Sequence, residues 1–221
     1  MEKAQHAELN EKKWDLRAES FDDKRFNYFR FMQKRLVSLL DLKPDQRLLD
    51  LGCGTGWAVR YAAILINGRG EFYGIDISSK MIERAIANSS NNKNVHFYQA
   101  SAEQLPFENN SFDFIICSNS FHHYFNPDKV LSEVHRVLKS KGRIYILDAT
   151  ADGLIVKMAD KWTKKKDPTH VKLYSTQEFK TLFVQAKLNH IASKPIVVLF
   201  NSMKVHIGEK SAGETRKSFT S

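Results

Sequence analysis

The segment Leu48-Leu-Asp-Leu-Gly-Cys-Gly-Thr-Gly-Trp constrains this chain more than any other. It sets Gly52, Gly54 and Gly56 directly after an apolar run and directly before a helical one. Arg47-Leu-Leu-Asp-Leu reads as a buried strand and residues 57–66 as a helix. Glycines at alternate positions let a strand turn sharply into a helix and let backbone approach a ligand with no Cβ in the way. The helix that follows presents unpaired N–H groups at its start. A dinucleotide loop needs G-x-G-x-x-G. Counted from Gly52, the last position of that pattern is Trp57, and counted from Gly54 it is Val59, so a pyrophosphate loop fits poorly.

The alternation continues downstream. Glu71-Phe-Tyr-Gly-Ile, Asn94-Val-His-Phe-Tyr, Phe112-Asp-Phe-Ile-Ile-Cys and Gly142-Arg-Ile-Tyr-Ile-Leu-Asp are further strand candidates. Between them, Ser78 is placed to cap a helix over residues 79–88, and Pro127 opens one running to about Leu138. Strands alternating with helices imply parallel βαβ units and an α/β sheet with helices on both faces. After residue 150 the pattern loosens. Ser175-Thr-Gln-Glu has the form of a capping box, opening a helix through Ala186. Residues 189–193 and 196–200 read as strands whose Lys194-Pro195 link is too short for a crossover, which predicts antiparallel pairing. Residues 208–221 are polar and read as a flexible tail. No repeat or linker breaks the chain, so a single domain over residues 1–221 is expected.

Charge and cysteine content narrow the class. The formal net charge of +9 suits an acidic partner such as RNA or anionic lipid, and is also common in soluble enzymes. Cys53 and Cys117 are the only cysteines, which excludes a disulfide-stapled secreted scaffold. No apolar run is long enough to span a bilayer, and the Met-Glu-Lys-Ala-Gln-His start lacks a signal-peptide core. A cytoplasmic protein of a reducing compartment is the expectation.

The Asp50-x-Gly-x-Gly-x-Gly arrangement resembles the first motif of the class I S-adenosylmethionine-dependent methyltransferases. Gly74-Ile-Asp-Ile-Ser-Ser-Lys-Met resembles that family's second motif, in which the acid ending the next strand, here Asp76, accepts hydrogen bonds from a ribose diol. The run from Gln99 to Ile115 resembles the segment enclosing the adenine, particularly in the ubiquinone/menaquinone-biosynthesis-like branch, with Ser101 where an Asp is common there. Val130 to Ile146 resembles the helix and strand that close the core, with Gly142 expected to take the left-handed turn between them. The resemblance covers residues 46–149 and implies a Rossmann-like doubly wound sheet, mostly parallel with an antiparallel C-terminal strand.

By that resemblance Asp50, Gly52, Cys53, Gly54, Gly56, Asp76, Ile77, Met81, Ser101, Ala102, Glu103, Ser118 and Asn119 would bind S-adenosylmethionine and release S-adenosylhomocysteine. Residues 150–207 would form the substrate side. Residues 1–45 read as helices with a surplus of aromatics, namely Trp14, Phe21, Phe26, Tyr28, Phe29 and Phe31, and are expected to be a mobile cover that excludes water. His122 and His123, following the fourth strand, are the candidate catalytic bases if the acceptor must lose a proton. No Cys/His/Asp spacing completes a metal site. A small-molecule acceptor is the leading expectation. The alternatives are an RNA or protein acceptor, motivated by Lys157, Lys161, Lys164, Lys165, Lys166 and Lys172, and a cofactor-binding protein without turnover.

Overall fold

The computed structural model describes residues 2–22, 27–196 and 202–212. Its frame is a sheet of β1 (Arg47–Leu51), β2 (Glu71–Asp76), β3 (Val95–Gln99), β4 (Phe112–Ser118), β5 (Leu138–Ala149), β6 (Leu188–Pro195) and β7 (Met203–Lys210). The spatial order is β3-β2-β1-β4-β5-β7-β6. Strands β1 to β5 pair in parallel, and β7 runs antiparallel to both of its neighbours. This is the mostly parallel, doubly wound sheet that the sequence implied.

Residues of successive strand positions go to opposite layers, as the pleat requires. Leu48, Phe114, Ile116, Tyr145 and Leu147 pack with α2 (Asn27–Ser38), α3 (Trp57–Leu65) and α4 (Ser79–Ala87). Leu49, Leu51, Ile115, Cys117, Ile144 and Ile146 pack with α5 (Pro127–Val137) and α7 (Thr176–Gln185). The expected caps are in place: the Ser78 hydroxyl accepts from Met81 N, and Ser175 with Glu178 forms a complete capping box. Two helices complete the fold, α1 (Lys3–Ala18) and α6 (Leu154–Lys166). The N-terminal region holds two helices, α1 and α2, and Phe26 lies outside the described residues. Helix α6 was not legible as an element in the lysine-rich segment.

Three local expectations are corrected. The described strand that pairs antiparallel with β6 is β7; of the expected arm 196–200, Ile196 is a bend and residues 197–200 lie outside the described ones. Strand β7 also takes Gly208, Glu209 and Lys210 from the expected tail, with Gly208 opposite Ile144 and Glu209 opposite Arg143. Its polar positions hid it, because His206 is fully buried and bonded to Thr150 Oγ1 at 3.0 Å and Ser193 Oγ at 2.8 Å. Finally, the left-handed residue before the body of β5 is Lys141, with φ 62°. Gly142 is needed for a different reason: a Cβ there would stand 2.9 Å from Lys139 O and 3.1 Å from Phe112 O.

Gly56 combines both demands. Its φ is +76°, and an added Cβ would meet Phe97 Cζ at 2.4 Å. The same ring stands 2.7 Å from where a Gly74 Cβ would be, so it has no room to retreat. Gly56→Ala is expected to cost about 1–3 kcal/mol from overpacking, added to the strain of its positive φ. Gly68→Ala, at φ +70° with nothing nearer than 3.8 Å, carries the backbone strain alone. Thermal melting should therefore show a clearly larger drop for Gly56→Ala, at about 2–4 °C per kcal/mol.

Candidate active site

Strand β1 sends the chain to β2 on one side while β4 leads away on the other, so the carboxyl ends of β1 and β4 flank a crevice. A cavity of about 450 Å³ lies there, ample for a nucleoside-sized ligand. Its walls hold Gly52, Cys53, Gly54, Asp76, Ile77, Met81, Ser101, Ala102, Glu103, Ser118, Asn119, His122 and His123. The structure therefore gathers these sequence-derived positions in one place.

The glycine loop is fixed to the end of β2. Gly52 N and Cys53 N both donate to Ile75 O at 2.9 Å. Asp76 Oδ2 accepts from Gly54 N at 2.9 Å, and its Oδ1 accepts from Ser78 N at 3.0 Å. Burial raises the Asp76 pKa, and these backbone donors oppose that rise. A Cβ on Gly52 would lie 2.7 Å from Ser120 Oγ, so glycine keeps this wall open. On the opposite side, Ser101 Oγ accepts from Glu103 N at 3.2 Å, while Glu103 pairs with Lys3 at 2.5 Å. Asn119, in the left-handed region at φ 55°, donates its backbone N–H to Leu147 O and its side-chain amide to Ser118 Oγ.

Asp50 and Gly56 do not line the cavity. Gly56 is the helix-entry residue described above. Asp50 lies buried beneath the loop, at 1% exposure, with no hydrogen bond to either carboxylate oxygen. Burial, then the negative charge of Asp76, push its pKa well above the usual carboxylate range. Asp50 has no partner and Asp76 has only neutral backbone donors, so a cationic ligand group is favoured beside them. An open glycine cradle, an uncompensated Asp50 and a strand-end Asp76 therefore fit S-adenosylmethionine, whose sulfonium and ammonium are positive.

The two histidines differ. His122 Nδ1 stands 2.8 and 2.9 Å from the two Asp148 oxygens, and Asp148 Oδ2 also accepts from His122 N. Burial works against an imidazolium at His122, but the charge and hydrogen bond of Asp148 outweigh it and raise its pKa. Asp148 is correspondingly lowered: burial opposes its ionisation, and His122 more than compensates. His123 Nδ1 donates to Thr169 O at 2.8 Å, and its ring meets Trp14 edge-on at 5.6 Å. Burial, then the charges of His122 and Lys13, bring its pKa down to about 3. Among the described residues no group of three or more His, Cys, Asp or Glu is arranged to hold a metal ion.

Helix α1 lies across the cavity, contributing Lys3, His6, Ala7, Asn10, Lys13, Trp14 and Arg17 to its lining. It is held by polar contacts. Lys13 Nζ pairs with Asp167 at 2.5 Å, His6 Nε2 bonds Thr169 O, and Asp15 Oδ1 accepts from Ser78 Oγ at 2.5 Å. Helix α2 adds Phe29 and Gln33 to the lining, while it buries Met32, Leu36 and Val37 against the α3 side of the sheet. Sequence reasoning passed over Asp148, and over Thr163, Asp167 and His170, which also line the cavity. Asp148 had a readable signal, being an acid at the carboxyl end of a parallel strand.

Comparison with known proteins agrees with this geometry. A family model described as a methyltransferase domain matches residues 42–194. Over 152 residues the chain is 32% identical to the uncharacterized methyltransferase YcgJ of Bacillus subtilis (strain 168), covering 67% of this chain and 59% of that protein. The YcgJ crystal structure aligns with a TM-score of 0.70 at 23% identity, over 83% of this chain and 99% of that one. The ubiquinone/menaquinone biosynthesis C-methyltransferase UbiE of Wigglesworthia glossinidia brevipalpis is 36% identical over 126 residues, 56% of this chain and 50% of that protein. A SAM dependent methyltransferase from Aquifex aeolicus shares the fold with a TM-score of 0.70 at 21% identity, over 88% of this chain and 97% of that one. The chain thus spans between half and three-fifths of the curated relatives' lengths.

The histidine environments set a pH dependence for folding. His123 and His206, at about 3 and about 4, refuse protons that the unfolded chain binds near pH 6.5. Their contribution is in place above pH 6.5 and is lost as pH falls toward 3. His122 acts in the opposite sense: its contribution is complete below pH 6.5 and fades as pH rises through its elevated pKa. Urea midpoints are expected to fall from pH 6.5 to pH 4, and His123→Gln should flatten that slope. Parallel slopes for the two proteins would show that His123 is not buried as a neutral ring.

Proposed function

Since the chain belongs to the methyltransferase-domain family, we propose that it transfers a methyl group from S-adenosylmethionine to a small-molecule acceptor at the His122 end of the cavity. The observation that carries this reading is the continuity of one cavity from Asp76 and the glycine loop to the His122–Asp148 pair. When bound, S-adenosylmethionine supplies a methyl on a sulfonium, a leaving group good enough that no covalent enzyme intermediate is needed. The protein's part is alignment, exclusion of water and, where the acceptor is acidic, removal of a proton.

Each part has a residue. Asp76 accepts the ribose hydroxyls, and the Gly52–Gly54 turn lets backbone approach the amino-acid end. Asp50 has no partner of its own, so a bound cation nearby favours its ionised form. Ser101 and Ala102 line the base side, with Glu103 latched to Lys3. Helix α1 shuts out water, with the Trp14 ring on the cavity wall.

His122, not His123, is the base. With Nδ1–H directed at Asp148, its Nε2 lone pair is free to take a proton, and the carboxylate stabilises the imidazolium that forms. His123 is a poor base with a pKa of about 3, and its Nδ1–H is used on Thr169 O. The relative named for C-methylation in quinone biosynthesis supports a hydroxylated aromatic acceptor. Moving a phenolic proton to His122 Nε2 leaves an aryloxide, which makes a ring carbon nucleophilic. None of Lys157, Lys161, Lys164, Lys165, Lys166 or Lys172 lines the cavity, which favours a small acceptor over RNA.

Asp76→Ala is expected to weaken S-adenosylmethionine binding by roughly ten- to a hundredfold in calorimetry, the loss of a charge-assisted hydrogen bond. Single-turnover transfer to a panel of hydroxylated aromatics tests the base. His122→Asn should lose about 10²-fold or more in rate with cofactor affinity kept. Asp148→Asn should shift the acidic limb of the pH–rate profile downward, because it removes what raises the His122 pKa. His123→Asn should keep the parent profile. An unchanged rate and profile in His122→Asn would leave catalysis to alignment alone.

A further inference from the structure

Helix α6 buries none of its residues fully, yet it is rich in large apolar side chains. Leu154, Ile155, Met158 and Trp162 are 75%, 83%, 64% and 60% exposed. Ile155, Met158 and Trp162 recur at i, i+3 and i+7, and Leu154 joins them at i−4 from Met158, so they form one stripe. Lys157, Lys161 and Lys164 run along one border of it at the same helical spacing. Lys166 stands at the other border, with Nζ 3.7 Å over the Trp162 ring. The only acid within the helix, Asp160, faces the other way. It accepts from Leu173 N at 2.8 Å and pairs with His170 at 2.6 Å. Thr163, on that inner side, and Asp167, just past the helix, line the cavity.

We propose that α6 docks the protein onto an anionic lipid bilayer, with its apolar stripe at the headgroup boundary and its lysines on the phosphates. An apolar stripe with tryptophan, bordered by lysines and free of acids, has the chemistry of a helix that lies in the membrane interface. RNA would be met by the lysines but would leave Leu154, Ile155 and Met158 in water. A second copy of the chain would bring two lysine borders together. No described helix is long and apolar enough to cross a membrane, so the contact is with the surface. Because α6 shares the cavity wall, docking turns the acceptor's entrance toward the lipid. Docking itself does not depend on methyl transfer; only the delivery of a lipophilic acceptor rests on the function proposed above.

The test is co-sedimentation of the full chain, without cofactor, with phosphatidylcholine vesicles that either lack phosphatidylglycerol or contain about a third of it. Binding to the anionic vesicles is expected to be at least about tenfold stronger and to weaken with salt, since each lysine near the surface contributes roughly fivefold. Ile155→Ser with Trp162→Ser, both at exposed positions, should lose that binding with an unchanged melting temperature. Lys157→Gln with Lys161→Gln should weaken it by about tenfold or more. Tryptophan emission should be quenched by bromine-labelled lipid in the parent and not in the serine variant. Equal binding by parent and serine variant, or no vesicle binding at all, would overturn the proposal. A dimer in sedimentation velocity that the serine variant splits would assign the stripe to a second copy instead.

Discussion

The carboxylate of Asp76 is the tie on which the site depends. Through Gly54 N it holds the glycine loop against the end of β2, and through Ser78 N it fixes the start of α4. Ser78 extends the tie in two directions, accepting from Met81 N and donating to Asp15 of α1. One buried acid therefore connects the central strands, a helix start and the cover. Charge-assisted bonds of this kind are short and strong where water is absent. The same acid lines the cavity, so the group that organises the loop also faces the space beside it.

Much of this architecture was legible in the sequence because local and global demands agree along residues 46–149. Alternating glycines, caps and apolar periods each point to the same strand–turn–helix path, and the sheet follows from their order. Legibility failed where the chain buries polar groups in pairs. His206 in β7 is invisible as a core residue until Thr150 and Ser193 are seen to satisfy it. Asp148 and His122 are far apart in sequence, and only the pairing of β4 with β5 brings the acid beside the turn after β4. Glycines misled in a second way: Gly142 was read for its dihedral freedom, but the structure needs its missing side chain. Asp50 shows a further limit, since a motif residue can lie buried outside the cavity that its motif frames.

The two histidines show how neighbouring, identical side chains acquire opposite properties. Their rings lie 4.2 Å apart, yet one is held by a carboxylate and the other by a carbonyl. His122 reinforces the difference, because its positive charge makes a charge on His123 still less favourable. Environments that drive two titratable groups apart are how a fold assigns one of them to proton transfer.

Helix α1 lies over the cavity on ion pairs and hydrogen bonds as well as on its Trp14 ring. Lys3–Glu103 and Lys13–Asp167 bridge it to opposite rims, and Thr169 O receives both His6 and His123. An apolar seal opens against the exposure of greasy surface, which salt does not relieve. A latch of charges is different: water and ions can replace its bonds, so salt would loosen it. Exchange of spent for fresh cofactor would then be a gating step whose pace the surrounding electrolyte sets, separately from the chemistry underneath.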